Sequence, residues 1–409
     1  MNISKPADRL RYFRQQQAAI LDTIEQLVTL ESPSEVKAAV DRVSTVLASR
    51  FGELGGKITV HRAEKFGNHL QVDCSGEKLP RFSQKTLEMA PPRGRTRDSE
   101  VGRGRKPILL LGHIDTVHPV GTISKMPFRV SKGRVWGPGV FDMKSGIALG
   151  LHAVEALLLW NGGKLPRPVT VLLVSDEEVG SPSSRAITEK LAREAAAVLV
   201  LEPAAGAEGA VKTARKGVGE YTLNVKGVAA HAGLDFERGH SAVLELSRQI
   251  LRLSELVDLT RGTTINVGKV SGGTRTNVVP SEASAVIDAR VTTKKDADKL
   301  HRQLMALRPF DPQCKVIIAG GMNRPPMERT PGTVALYEKA KAVAKELGIE
   351  LEEASVGGGS DGNFTAALGI PTLDGLGAAG EGAHAAHESI VISELPCRAA
   401  LLAGLIASA

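Results

Sequence analysis

Three short apolar runs constrain this chain most: Pro107–Leu111, Val169–Val174 and Ala197–Leu201. They show no polar alternation, the pattern of a central strand buried on both faces. Stretches at helical spacing accompany them, over Ala18–Leu30, Glu35–Leu54, Gly146–Leu159, Thr333–Leu347 and Leu395–Ala407. Further strand-like pieces lie at Lys57–His61, His69–Val72 and Glu350–Ala354. Strands alternating with helices predict a mostly parallel α/β sheet. Such sheets collect their sites at the carboxyl ends of the strands. His113, Asp176, Glu177, Glu178 and Glu202 all fall just after one of the three runs, so they are expected to meet.

The rhythm changes in the middle of the chain. Tyr221–Val225, Thr264–Val270, Ala283–Val291 and Lys315–Ala319 read as strands, with helices at Ser241–Leu256 and Asp296–Leu307. The order β-α-β-β-α-β is the ferredoxin-like pattern. Residues 212–322 are therefore expected to form a smaller α+β domain, inserted into an α/β domain made of 1–211 and 323–409. A chain of 409 residues is long enough for both.

Composition narrows the function. Hydrophobic residues at 42% and charged residues at 24% are ordinary for a soluble globular protein, whereas aromatics at 3% leave little for stacking on nucleic-acid bases. Most of the net charge of +7 sits in 81–106, where eight Lys/Arg face three acids. Pro91-Pro92 and several glycines break any period there, which reads as a solvated surface insertion. Cys74, Cys314 and Cys397 have no paired spacing, which fits a reducing compartment. Met1–Gln17 has no apolar core of a secretory signal, and no run reads as long enough to span a membrane. A cytoplasmic protein without membrane or nucleic-acid partners is expected.

The chemistry lies in five motifs. Gly112-His113-Ile114-Asp115-Thr116 offers an imidazole with a carboxylate two residues on, close enough to accept its second N–H. Gly137-Pro138-Gly139 makes a rigid turn ending near Asp142, whose two oxygens could bridge two cations. Asp176-Glu177-Glu178 puts three acids at one strand end, a repulsive arrangement unless cations compensate. With metals present, neighbouring glutamates can divide the work: one binds a cation and the other takes a proton from the activated water. Glu202 precedes Pro203 at the third strand end, and His384 lies in a Gly-rich loop where His387 competes for its role. Alone, each motif has a bland reading as a turn, a cap or a solvated acid. Together they could hold two zinc ions and leave one carboxylate as a base.

As a set, these motifs resemble the zinc exopeptidase and deacylase family of glutamate carboxypeptidase, acetylornithine deacetylase, succinyl-diaminopimelate desuccinylase and aminoacylase. The resemblance spans nearly the whole chain except 81–106, and includes Gly357-Gly358-Gly359-Ser360-Asp361. It implies a parallel-sheet catalytic domain with an inserted ferredoxin-like dimerisation domain. It also implies two Zn2+ per subunit, with Co2+ or Mn2+ as alternatives. His113 and Glu202 would hold one ion, Glu178 and His384 the other, and Asp142 would bridge, in a loop that often carries a cis peptide after the Asp. His384 is preferred to His387 because the family's ligand His lies four residues before a Glu, here Glu388. Asp115 would orient His113, and Glu177 would be the general base. His231 would reach the site of a partner subunit in a homodimer and stabilise the oxyanion. Asn277 would contact substrate, and Arg290 would grip its carboxylate, for which the alternative is a salt bridge along a strand. Glu rather than Asp at position 202 points to carboxypeptidases and deacylases. The expected substrate is a peptide or N-acyl amino acid losing its C-terminal residue, with glutamate favoured. An N-acyl diamino acid deacylase is the second reading.

Overall fold

Ile108–His113, Val169–Val174 and Ala197–Val200 are adjacent parallel strands, with Ile108–His113 in the middle. The sheet has six strands in the order Lys57–His61, His69–Cys74, Val169–Val174, Ile108–His113, Ala197–Val200 and Thr372–Leu373. His69–Cys74 pairs antiparallel with both of its neighbours, and the remaining pairs are parallel. Successive side chains point to opposite faces. Ile108, Leu110, Val169, Val171, Leu173 and Leu199 therefore enter a large core, while Leu109, Leu111, Leu172, Val174, Val198 and Val200 enter a smaller one. Helices Ser145–Trp160, Pro331–Glu346 and Leu395–Ser408 close the first, and Arg185–Glu194 contributes to the second.

The computed structural model describes residues 6–74 and 105–408, so the basic segment 81–106 lies outside the described residues apart from Arg105 and Lys106. The chain divides into two compact units. One comprises Met1–Thr213, Arg329–Ser355 and Ser360–Ala409, the other Ala214–Glu328 and Val356–Gly359. The expectation that no stretch is long enough to span a membrane needs correction. Val140–Trp160 meets that test by length and composition, but 83% of its apolar window is buried inside the protein, where it serves as a core helix. Gly146, at the start of that helix, lies against the carbonyl of Leu201, and so does Gly377. A Cβ at either position would collide with that oxygen.

The second unit holds an antiparallel sheet in the order Thr264–Gly272, Glu282–Val291, Gly217–Lys226, Lys315–Arg324. Its two central strands, Glu282–Val291 and Gly217–Lys226, alternate buried and less buried positions, as a sheet covered on one face requires. Tyr221, Leu223, Ala285 and Ile287 meet Leu246 and Leu253 of helix Ala242–Ser254 and Leu300 and Leu304 of helix Lys294–Met305. Ser241 and Thr293 cap these helices, accepting from the backbone N–H of Leu244 and Asp296.

Leu110 is fully buried at the centre of the first unit's sheet. Leu110→Ala is expected to cost about 2–5 kcal/mol, read as a lower denaturant midpoint with an unchanged slope.

Candidate active site

The parallel register decides where the ligand candidates emerge. His113 pairs with Val174 and is the last residue of its strand rather than the start of the loop beyond it. Leu111 pairs with Val200, so Glu202 leaves the neighbouring strand close by. Glu177 and Glu178 sit in a single 3-10 turn, Glu177–Val179, after Val169–Val174.

Asp142 lies between the two imidazoles, with one oxygen toward each: Oδ1 is 3.1 Å from His113 Nε2 and Oδ2 is 3.5 Å from His384 Nε2. Glu202 Oε1 lies 3.5 Å from His113 Nε2, and Glu178 Oε2 lies 3.1 Å from His384 Nε2. Two sets of three donors result, His113–Asp142–Glu202 and Asp142–Glu178–His384, with ligand atoms within 4.8 Å of one another in each. The Asp142–Met143 peptide is cis, and His384 adopts a left-handed backbone with φ 64°. His387 is exposed and belongs to neither set.

Asp115 organises the floor of this site. His113 Nδ1 donates to its backbone carbonyl at 2.9 Å, and its carboxylate Oδ1 lies 3.5 Å from the same nitrogen. That leaves Nε2 facing Asp142 and Glu202. The fully buried Asp115 carboxylate accepts from Ser34 Oγ at 2.7 Å and from the backbone N–H groups of Glu177 and Glu178 at 3.3 and 3.2 Å. One acid thus fixes the ring of His113 and the turn that carries both glutamates.

Asp176 does not join the cluster. It accepts from Ser183 N–H, Ser183 Oγ and Ser184 Oγ at 2.6–2.7 Å, bracing the turn before helix Arg185–Glu194. This relieves part of the repulsion that three adjacent acids imply.

The field of the site favours positive charge. His384 is pushed up to about 10 by Asp142 and Glu178, against its partial burial. Burial opposes protonation of His113, but its hydrogen bonds with Asp115, Asp142 and Glu202 prevail and hold it well above the ordinary imidazole value. Asp142 is held low: burial would raise it, but the two imidazoles outweigh that. Burial raises Glu178. Glu178 Oε1 is buried without a hydrogen-bond partner among the described residues, while Oε2 is the oxygen that faces His384. Imidazoles and carboxylates with three protein donors per position suit zinc, and cobalt or manganese by the same ligand chemistry.

His231, Asn277 and Arg290 belong to the second unit. His231 Nδ1 accepts the N–H groups of Gly233 and Leu234 at 3.1 and 3.2 Å, so the ring's proton is on Nε2. Its segment bridges Val278, and Ala232 N–H donates to the carbonyl of Asn277 at 2.9 Å, which holds His231 and Asn277 side by side. Arg290 makes a two-pronged contact with Asp288 at 2.9 Å and donates to the carbonyl of Gly357 at 3.0 Å. The salt bridge along a strand is thus present. Sequence reasoning gave no role to Ser34, His118 or the side chain of Glu388. The signal for them is weak, because their partners lie far away in the chain.

The model of peptidase family M20/M25/M40 matches residues 109–408. Carboxypeptidase G2 of Pseudomonas sp. (strain RS-16) is 31% identical over 395 residues, covering 96% of this chain and 89% of that protein. Succinyl-diaminopimelate desuccinylase of Delftia acidovorans is 28% identical over 347 residues, covering 77% and 86%. Among solved structures, aminopeptidase PepT from Bacillus cereus shares the fold with a TM-score of 0.76 at 22% identity, covering 96% of this chain and 98% of that one. The Bacillus subtilis YXEP protein, a dinuclear metal-binding peptidase, does so at 0.66 and 14%, covering 97% and 98%. On the extent of these matches, the chain belongs to peptidase family M20/M25/M40.

Proposed function

We propose that this hydrolytic enzyme cleaves the amide next to a free carboxylate, releasing a C-terminal amino acid from a peptide or N-acyl amino acid. The observation that carries this reading is Asp142 shared between two three-donor sets. His113 and Glu202 would hold one divalent cation, Glu178 and His384 a second, and Asp142 both. When bound, such ions polarise a carbonyl oxygen and bring the pKa of a water to roughly 7. Glu177 takes the proton of the attacking water and delivers it to the leaving amine. Its place in the same turn as Glu178, pinned by Asp115, supports that role.

The second unit supplies binding groups. Nε2–H of His231, from a second copy, donates to the developing oxyanion. Its fixed tautomer supports a donor role. Arg290 receives the substrate's free carboxylate, while Asn277, held beside His231 at the far end of the same pair of strands, contacts the substrate from the second copy. A guanidinium has five N–H donors, so the contacts to Asp288 and Gly357 leave capacity for it. A homodimer is supported by Leu244 and Leu251 on helix Ala242–Ser254, 53% and 69% exposed, and by Val270 at 60% on the edge strand Thr264–Gly272. The likeness to carboxypeptidase G2 favours release of a C-terminal residue, and the resemblance to glutamate carboxypeptidases makes glutamate the residue to test first. The desuccinylase relatives favour the N-acyl diamino acid reading, and rates on the two substrate classes separate them.

Three outcomes are expected. Glu177→Gln lowers kcat by about 10²–10⁴-fold while two metal ions per chain remain by elemental analysis. Full turnover in that variant would remove Glu177 as the base. Arg290→Ala lowers kcat/KM for carboxylate-bearing substrates by about 10–100-fold, as loss of a charge-assisted hydrogen bond of roughly 1.5–3 kcal/mol requires. Its effect disappears on substrates with an amidated C-terminus. Stripping metal with a chelator abolishes release of amino acid and lowers the melting temperature, and both return with added zinc.

A further inference from the structure

Glu388 is fully buried and belongs to neither donor set. Its carboxylate nevertheless touches the site at four points. Oε1 accepts the backbone N–H groups of Phe141 and Asp142 at 2.8 and 2.9 Å. Oε2 accepts the N–H of Gly139 at 2.9 Å and the Nε2–H of His118 at 2.8 Å. An ionised carboxylate offers about four acceptor positions, and here all are filled by N–H donors.

The donors come from the segments that carry ligand candidates. Gly139–Asp142 holds the shared Asp142. His118 is five residues beyond His113. Glu388 itself ends two successive turns that carry His384, closed by Ala385 N–H to Gly382 O at 2.9 Å and Glu388 N–H to Ala385 O at 3.1 Å. One buried side chain therefore ties together the segment that follows His113, the loop that holds Asp142 and the turn that carries His384. A bond to the amide of Asp142 itself fixes the peptide from which that side chain projects.

The geometry points to Glu388, braced by His118, as the positioning residue that sets Asp142 between the two metal positions. This rests on the two-metal reading above. Neither residue touches substrate or metal, and each acts through Asp142. Outer partners of metal ligands commonly alter affinity by about 10–100-fold when changed. Glutamine at 388 would present an NH2 group toward N–H donors and break the four-point contact. Phenylalanine at 118 would remove one donor and leave the three backbone contacts.

The test titrates the full-length, metal-stripped protein with Co2+, followed by visible absorption and by equilibrium dialysis. Glu388→Gln is expected to weaken Co2+ binding by about 10–100-fold and to change the spectrum of the bound ions. His118→Phe is expected to act in the same direction by up to about tenfold, with the melting temperature of the metal-free protein unchanged. If Glu388→Gln does not fold, His118→Phe decides. A purely structural role would lower the metal-free melting temperature and leave the affinity and spectrum of the folded protein at parental values. That result, or parental Co2+ binding in both variants, overturns the positioning role. A parent protein that fails to take up two ions overturns the two-metal reading itself, and the positioning role with it.

Discussion

The register of one central strand carries the rest of the site. Ile108–His113 is held between two parallel neighbours so that His113 faces Val174 and Leu111 faces Val200. Glutamates 177, 178 and 202 then leave the sheet from the same edge as His113. A slip of one residue would turn every side chain of the strand to the opposite face, exchanging the contents of two apolar cores. The buried leucines and valines thus specify the position of polar groups they never touch.

Gathering so many acids in one place is unfavourable, and the structure offsets it with N–H and O–H donors. Asp115 receives Ser34 and two backbone amides, Asp176 receives three donors from Ser183 and Ser184, and Glu388 receives four. These three carboxylates are supported by the protein itself and hold loops in place. Asp142, Glu178 and Glu202 lean instead on imidazoles, and Glu178 keeps one oxygen unmatched among the described residues. The carboxylates here divide into those satisfied by N–H and O–H donors and those set against imidazoles.

Most of the architecture was legible because strands buried on both faces read as unbroken apolar runs, and Val169–Val174 has the same bounds by either route. The ends were less so where pairing continues through residues that read as breakers. Gly217–Lys226 begins four residues before the expected Tyr221, because Gly217 and Gly219 still pair with Val291 and Ala289. Lys315–Arg324 runs on through Gly320 and Gly321, which face Tyr221 and Glu220. Glu178 and Glu202 were legible because they follow strand ends, and Asp142 and His384 because each sits in a Gly-rich stretch within a motif of the family. That Asp176 turns away was not, since adjacency in sequence does not say which carboxylate finds a serine. The contacts that Ser34, His118 and Glu388 make were invisible for a related reason. Their partners are backbone or side-chain atoms 81 to 270 residues away, and a backbone N–H has no sequence signature.

Gly146 and Gly377 both press their backbones against the carbonyl of Leu201, just ahead of Glu202. No side chain cushions that contact, so Glu202 is mounted on main chain clamped between main chains. Its anchor moves only if the sixteen-residue rod Ser145–Trp160, about 24 Å long, moves with it. His384 has the opposite kind of mount, a half-exposed ring on a surface turn. The two donor sets therefore differ in exposure: one is set in packed main chain, and the other ends in a half-exposed ring on a turn that Glu388 holds from below. Two glycines far apart in the chain are thus as much a condition of the position of Glu202 as the strand it leaves, since a methyl group at either would displace the carbonyl ahead of it.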